Sequence, residues 1–278
     1  MKGVLYIDGV DAYEAYGVSI TETAYDDLVC MPTLKPIQFN DWHERNGIEP
    51  DLSEPVIDAK KVSITFNQVG GYDRYDAFMQ TLSDGAFHTF RFESIGLTKD
   101  LRLENCGDIK GIRDLSSFSL SFSDDNPMKG YTYETPASAV ERLGDYLLDG
   151  VDLADYGIRV LAGTMASITK RPDVKENLKV STPTSNGVKY DGQNVVFKNK
   201  VANVRCLMRA SSKEEFWKNR NALVHDLTKP GERTLTVTSL GKEIPCYYKG
   251  CSVSCFFPDN RKYWYEFTLS LDFFNGVI

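Results

Sequence analysis

With 278 residues, of which 42% are hydrophobic, the chain is longer than one ordinary domain of about 100–150 residues and has the apolar content to bury a core in each of two. A net charge of −7 and an isoelectric point near 5.1 argue against a surface made to neutralise nucleic-acid phosphates, leaving room for a local basic patch or an acidic wall that repels DNA. No apolar run approaches the roughly 18–20 residues that cross a bilayer, residues 1–8 turn acidic before a signal-peptide core develops, and six sparse cysteines suit a reducing cytoplasm better than a disulfide scaffold.

The 15 Phe, 15 Tyr and 3 Trp tilt the chain towards β structure, because flat side chains pack well on a pleated surface. A first strand is predicted over residues 4–8, closed by an Asp8-Gly9 turn, a pair that tolerates positive φ. A second strand follows Tyr16-Gly17 over 18–23. Residues 26–58 then form a long polar excursion holding Pro32, Pro36, Pro50 and Pro55. A structureless loop of that length is rare inside a compact domain, and Asn46-Gly47 is a hairpin turn signal, so an extended β-hairpin or arm is expected here. Phe39, Trp42 and Ile48 lie in this arm among prolines and charges. Large apolar groups in a polar excursion mark a contact surface, which makes the three a candidate subunit interface; the alternative is that they fold back on their own domain. A strand over 61–66 leads to a helix over 73–82 with Phe78, Met79 and Leu82 inward. Phe90-Arg91-Phe92 reads as a strand, Ser94-Ile95-Gly96 as the turn after it, and Phe118-Ser119-Leu120-Ser121-Phe122 as a strand with one buried and one wet face.

Residues 128–142 read as a linker interrupted by Pro136, with room for a short helix over 137–143. Beyond it the whole order recurs. Asp8-Gly9-Val10-Asp11 returns as Asp149-Gly150-Val151-Asp152, and Tyr16-Gly17-Val18 as Tyr156-Gly157-Ile158. An offset of 145 carries Leu82 to Leu227, Thr89 to Thr234, Ser94 to Ser239, Gly96 to Gly241 and Cys106 to Cys251. The last strand recurs at an offset of 149, as Phe267-Thr268-Leu269-Ser270-Leu271, which places an insertion near Phe257-Pro258-Asp259-Asn260-Arg261. The second copy has strands over 146–149, 158–162 and 201–208, an arm over 163–198 with Pro172, Pro183 and Asn186-Gly187, and a helix opened by the capping box Ser212/Glu215 with Phe216, Leu223, Val224 and Leu227 on one stripe. The chain is therefore expected to be mainly β: two tandem domains, 1–127 and 143–278, each a small barrel or sandwich of about seven strands with one helix on its flank.

This order resembles the phage tail-tube domain, found also in distal tail proteins, baseplate hub proteins and the tubes of contractile injection systems. The features that carry the resemblance are the opening strand with Asp-Gly, the steps Tyr16-Gly17-Val18 and Tyr156-Gly157-Ile158, the long arm, the single helix and the final alternating strand. The resemblance covers nearly the whole chain, once per copy. It implies a structural subunit of a phage, prophage or related injection machine, at the tail tip or baseplate hub, built in the host cytoplasm and then part of the virion tail. It implies as partners further copies, in a homotrimer with pseudo-sixfold symmetry or a homohexamer, and adjacent tail proteins, around a DNA-conducting lumen, with no membrane and no sequence-specific nucleic acid. Exposed strand edges, which pair with other edges unless protected, would be closed by such a ring.

No residue set suggests catalysis, a cofactor or a metal. His43, His88 and His225 stand apart in sequence and read as ordinary loop or helix histidines. Cys246, Cys251 and Cys255 lack a CxxC pair and read as packing residues. Ser123-Asp124-Asp125-Asn126 and Asp8/Asp11 lack the spacing of a calcium loop and read as turn residues. GxSxG, Walker, GxGxxG and HExxH motifs are missing, so the expectation is not an enzyme. The rival is a tandem β-sandwich binding module, for example for carbohydrate, which would need exposed aromatics beside polar clusters.

Overall fold

The structure, a computed structural model, describes residues 2–21, 25–112, 115–176, 179–190, 195–259 and 262–276. It is mainly β. The first half runs β1 (Leu5–Ile7), β2 (Val10–Asp11), α1 (Ala12–Tyr16), β3 (Val18–Ile20), α2 (Asp26–Val29), β4 (Phe39–Asn40), β5 (Glu49–Pro50), β6 (Lys60–Val69), α3 (Tyr72–Leu82), β7 (Phe87–Phe92), β8 (Leu97–Cys106), β9 (Lys110–Ile112) and β10 (Leu115–Asp124). Its sheet has the order β2-β1-β7-β8-β10-β6-β3, with β9 added beside β10 and β4-β5 standing off as a separate hairpin. The second half runs β11 (Tyr146–Leu148), β12 (Val151–Asp152), β13 (Ile158–Val160), α4 (Thr164–Thr169), β14 (Lys179–Val180), β15 (Lys189–Tyr190), β16 (Lys200–Ala210), α5 (Lys213–Leu227), β17 (Arg233–Val237), β18 (Lys242–Asp259) and β19 (Lys262–Phe273). Its sheet has the order β12-β11-β17-β18-β19-β16-β13, the same path strand for strand, with β14-β15 as the separate hairpin.

The recurring motif has a local cause in each half. Asp8-Gly9 and Asp149-Gly150 hold positive φ at both positions, as the tight turn between paired strands requires. Asp11 Oδ1 then accepts from Tyr13 N (2.9 Å) and Glu14 N (3.1 Å), and its Oδ2 from Gly3 N (2.6 Å). Asp152 does the same with Ala154 N and Gly144 N, both at 2.8 Å. Each aspartate thus caps a single helical turn, α1 or the 3₁₀ turn Leu153–Tyr156, which Gly17 or Gly157 ends in the left-handed conformation. Sequence reading expected one helix per copy and missed these turns, and missed α2 and α4, because a helix of one turn has no apolar period.

The alternating strands lie where expected. Phe118, Leu120 and Phe122 of β10 are buried between exposed or half-exposed serines, and Phe66, Phe78 and Phe90 pack around them. Helix α5 is capped by Ser212, whose Oγ accepts from Glu215 N, while the Glu215 carboxylate takes the backbone N–H of Ser211 rather than that of Ser212 (2.9 Å). The insertion extends β18 and β19 into a long hairpin; its tip, Asn260-Arg261, lies outside the described residues, as do Glu22 and Thr23 of the second predicted strand. The predicted helix over 137–143 does not form: Ala137 N and O are both bound by the Asn219 amide (3.0 Å each), which holds the linker extended along α5.

Open strand edges were expected, and part of them is covered. The end strands β2, β3, β12 and β13 are two or three residues long. Beyond β3, the outer edge of β6 is met by α2, where Asp27 Oδ2 accepts from Ser63 N (2.9 Å). Beyond β13, Ser167 and Thr164 of α4 accept from Asn203 N and Arg205 N of β16 (2.9 Å each). Short end strands and helix-borne acceptors cover these two edges, whereas β18 beyond Cys246 pairs, among the described residues, with β19 alone. One continuous cluster of buried apolar side chains runs through both halves, from Leu5 and Ile7 to Leu271 and Phe273.

Candidate interaction surfaces

The two hairpins share one construction at an offset of 140. Phe39 faces Pro50 and Asn40 faces Glu49; Lys179 faces Tyr190 and Val180 faces Lys189. The loops fold alike: Arg45 N donates to Trp42 O, and Ser185 N to Thr182 O, both at 3.2 Å. At the base, the bridges Leu34↔Ile57 and Val174↔Phe197 also correspond.

Their surroundings differ. The first hairpin folds onto the second half of the chain. Gly47 N donates to Phe197 O and Ile48 N to Phe274 O (2.8 Å each), and Asn46 Oδ1 accepts from Phe197 N (2.9 Å). Ile48 and Leu52 pack with Tyr247 and Phe274 in a small separate cluster. Lys175, only 4% exposed, pushes its ammonium into the loop, where Asp41 Oδ1 (2.5 Å), Trp42 O (2.9 Å) and Gly47 O (2.5 Å) receive it. A buried ammonium needs such a set of acceptors to offset its lost hydration. The fit is close: a Cβ on Gly47 would stand 1.7 Å from Phe274 O.

The three interface candidates therefore separate. Ile48 is corrected: it is buried inside the chain, on the opposite half and not on its own domain. Phe39 and Trp42 stay exposed at 56% and 48%, Trp42 steadied by its Nε1–H to Glu49 Oε2 (2.8 Å), with Arg45 on the other carboxylate oxygen (2.8 Å). In the second hairpin, Val180 and Val188 are exposed, and a Cβ on Gly187 would meet nothing within 4 Å.

A second seam joins the halves through α5. Arg220, 5% exposed, donates from Nε to Val29 O (3.2 Å) and from Nη2 to Cys30 O (2.6 Å), and lies over the Trp217 ring. Tyr265 Oη also reaches Val29 O (3.2 Å), and Trp217 Nε1 donates to Ile95 O (2.6 Å). Lys60 Nζ donates to Leu28 O and Cys30 O, so the end of α2 is bound from two sides. Burial, reinforced by the nearby Arg220 charge, pulls the Lys60 ammonium down to about 7. A hydrogen bond from the Cys251 thiol, with Lys60 and Arg220 nearby, brings Cys30 down to about 7, against burial; the same bond and burial push Cys251 well up. Of the three cysteines close in sequence, Cys251 lies across the seam from Cys30, whose thiol donates to the Cys251 carbonyl (3.4 Å), and Cys246 is buried in its own half.

The histidines are separate. His43 is exposed on the first hairpin, and His225 leans on Tyr133 with ring centroids 4.6 Å apart. His88 is buried between Asp8 (Nδ1 to Oδ2, 2.6 Å) and Asp84 (Nε2 to Oδ1, 3.1 Å). Burial works against its charge, but the two carboxylates prevail and raise its pKa. Asp124 pairs with Lys99 (2.8 Å) and Asp125 with Arg102 (3.2 Å), as strand-end residues do. Sequence reading missed Lys175 and Arg220; the recurrence of Lys35 as Lys175, at the offset of the hairpins, was the available signal for the first.

No family model and no curated protein matches the chain. Among solved structures it is similar to SPP1 Dit (gp 19.1), described as a paradigm of the hub adsorption apparatus in phages that infect Gram-positive bacteria, with a TM-score of 0.36, 9% identity and 97% of each chain covered. Among the described residues no helix is long and apolar enough to cross a membrane.

Proposed function

We propose that this chain is a structural subunit of a phage tail or a related injection machine, acting at the tail tip or baseplate hub by assembling into a ring, and not by catalysis. The observation that carries the reading is the tandem of two sheets with one strand order, in which a hairpin from the first unit grips the second. Units that hold one another in this way are suited to a closed ring, three two-unit chains or six making the circle. The two halves descend, in this reading, from a duplicated ancestral domain spanning 1–127 and 143–278. An acidic ring, at −7 per chain, would conduct DNA without binding its phosphates.

Mass in solution and electron microscopy of the purified chain, alone and with co-expressed tail proteins, test this. Ring-shaped trimers or hexamers are expected, with antibody labelling at the tail tip of the particle. A chain that stays monomeric with every tail partner would overturn the reading. One observation favours the rival binding module: Trp264, exposed beside Arg159, Arg209, Glu141 and Glu215, lines a depression of about 430 Å³. Binding to a glycan array, lost on Trp264→Ala, is the outcome that would support it.

A further inference from the structure

We infer that the second hairpin docks on the first half of another copy of this chain, in the manner of the first hairpin on the second half. The donor is ready. Its strand pairing and loop turn match those of the docked hairpin, although nothing among the described residues covers it: residues 181–189 are exposed. A loop that holds its bound shape beforehand has less entropy to lose on binding.

The receiving surface has the same construction. By sheet register, Phe273 and Asp124 correspond, each facing the lysine that opens β16 or β6, so Phe274 corresponds to Asp125. The bridges make Ile57 the counterpart of Phe197 and place Lys35 where Lys175 stands. The carbonyls that would receive Gly187 N and Val188 N are therefore Ile57 O and Asp125 O, and neither accepts a hydrogen bond from the described residues. Lys35 is exposed and its ammonium has no partner among them, whereas Lys175 is enclosed by three oxygens. In the intermolecular contact Lys35 enters the second loop, towards Thr182 O and Gly187 O.

The contact is more polar than its internal model. Val188 stands for Ile48, Ser181 for Asp41, and the ion pair Arg102–Asp125 replaces the stacked Tyr247 and Phe274. Such an interface suits chains that are soluble alone and associate at high local concentration. Because donor and receiver are different surfaces, the contact is head-to-tail, and it closes into a ring when its rotation matches the step inside the chain. The inference deepens the assembly reading and rests on it only for ring closure.

Two full-length variants test it. Gly187→Asn keeps the left-handed turn, which Asn tolerates, but puts a Cβ where the carbonyl of Asp125 would lie. Lys35→Glu reverses the receiving charge. Each alone is expected to weaken self-association, read by sedimentation over a concentration series, by about tenfold or more, with unchanged thermal unfolding of the monomer. Mixed, they are expected to form dimers, since one keeps the hairpin and the other the receiver. A benzophenone side chain at Val188 should cross-link between chains to peptides containing Lys35, Ile57 or Asp125. Wild-type cross-links elsewhere or none, variants that associate normally, or a mixture without dimers would each overturn the inference. Normal tail rings built from either variant would sink this contact and leave the tail reading standing; hairpin-dependent association by a chain missing from tail particles would do the reverse.

Discussion

His88 and Arg233 occupy the same place in the two halves, each against the aspartate of the Asp-Gly turn: Asp8 at 2.6 Å and Asp149 at 2.7 Å. The second half holds a permanent charge there and the first a titratable one. Since the folded pKa of His88 is raised, its protonated form stabilises the fold. That stabilisation is complete below the unfolded value of about 6.5 and is lost as pH rises through the folded value. Thermal unfolding at a series of pH values should show a loss of stability across that window, which His88→Arg removes. Gly17 is the second residue-scale case. Its φ is +69°, and a Cβ would stand 2.0 Å from Val69 O, so neither conformation nor space accommodates a side chain. Gly17→Ala should cost about 1–3 kcal/mol in urea unfolding, and a neutral result would mean that β3 and β6 part more easily than their hydrogen bonding implies.

Among the elements, the two hairpins differ in environment and not in construction. Lys175 is what anchors the first, since its removal leaves Trp42 O and Gly47 O without their charged donor. Lys175→Met should cost about 2 kcal/mol. Hydrogen exchange at the amides of Gly47 and Ile48, which donate to Phe197 O and Phe274 O, should speed up while β14-β15 is unaffected. The short helices α2 and α4 have a comparable job: Asp27, Thr164 and Ser167 side chains accept from backbone N–H groups of β6 and β16, so these stretches of the sheet edges are not offered to a neighbour.

For the whole molecule, the core shared by both halves and the Arg220 seam join the two halves, and one cooperative transition is expected. Arg220→Ala would take the guanidinium from Val29 O and Cys30 O, which keep Tyr265 Oη and Lys60 Nζ as donors, and would remove the buried group that ties α5 to both, at a cost of about 2 kcal/mol. Calorimetry should show one endotherm for the natural chain and two for the variant, the halves then melting apart. A single unchanged endotherm would show that apolar packing alone couples them.

The repeat of Asp-Gly-Val-Asp and Tyr-Gly, the long helices α3 and α5, the alternating Phe118–Phe122 strand and the presence of a hairpin around each Asn-Gly were legible in the sequence, although each hairpin turns at Trp42–Arg45 or Thr182–Ser185 and not at Asn-Gly itself. Each depends on neighbours a few residues away, whose periodicity or backbone preference leaves a mark in the order of residues. The burial of Ile48 against Phe274, the enclosure of Lys175, the Arg220 seam and the covered sheet edges were decided only in three dimensions. Those features join groups more than a hundred residues apart or depend on which of two like hairpins finds a surface, and no local pattern encodes the identity of a distant partner.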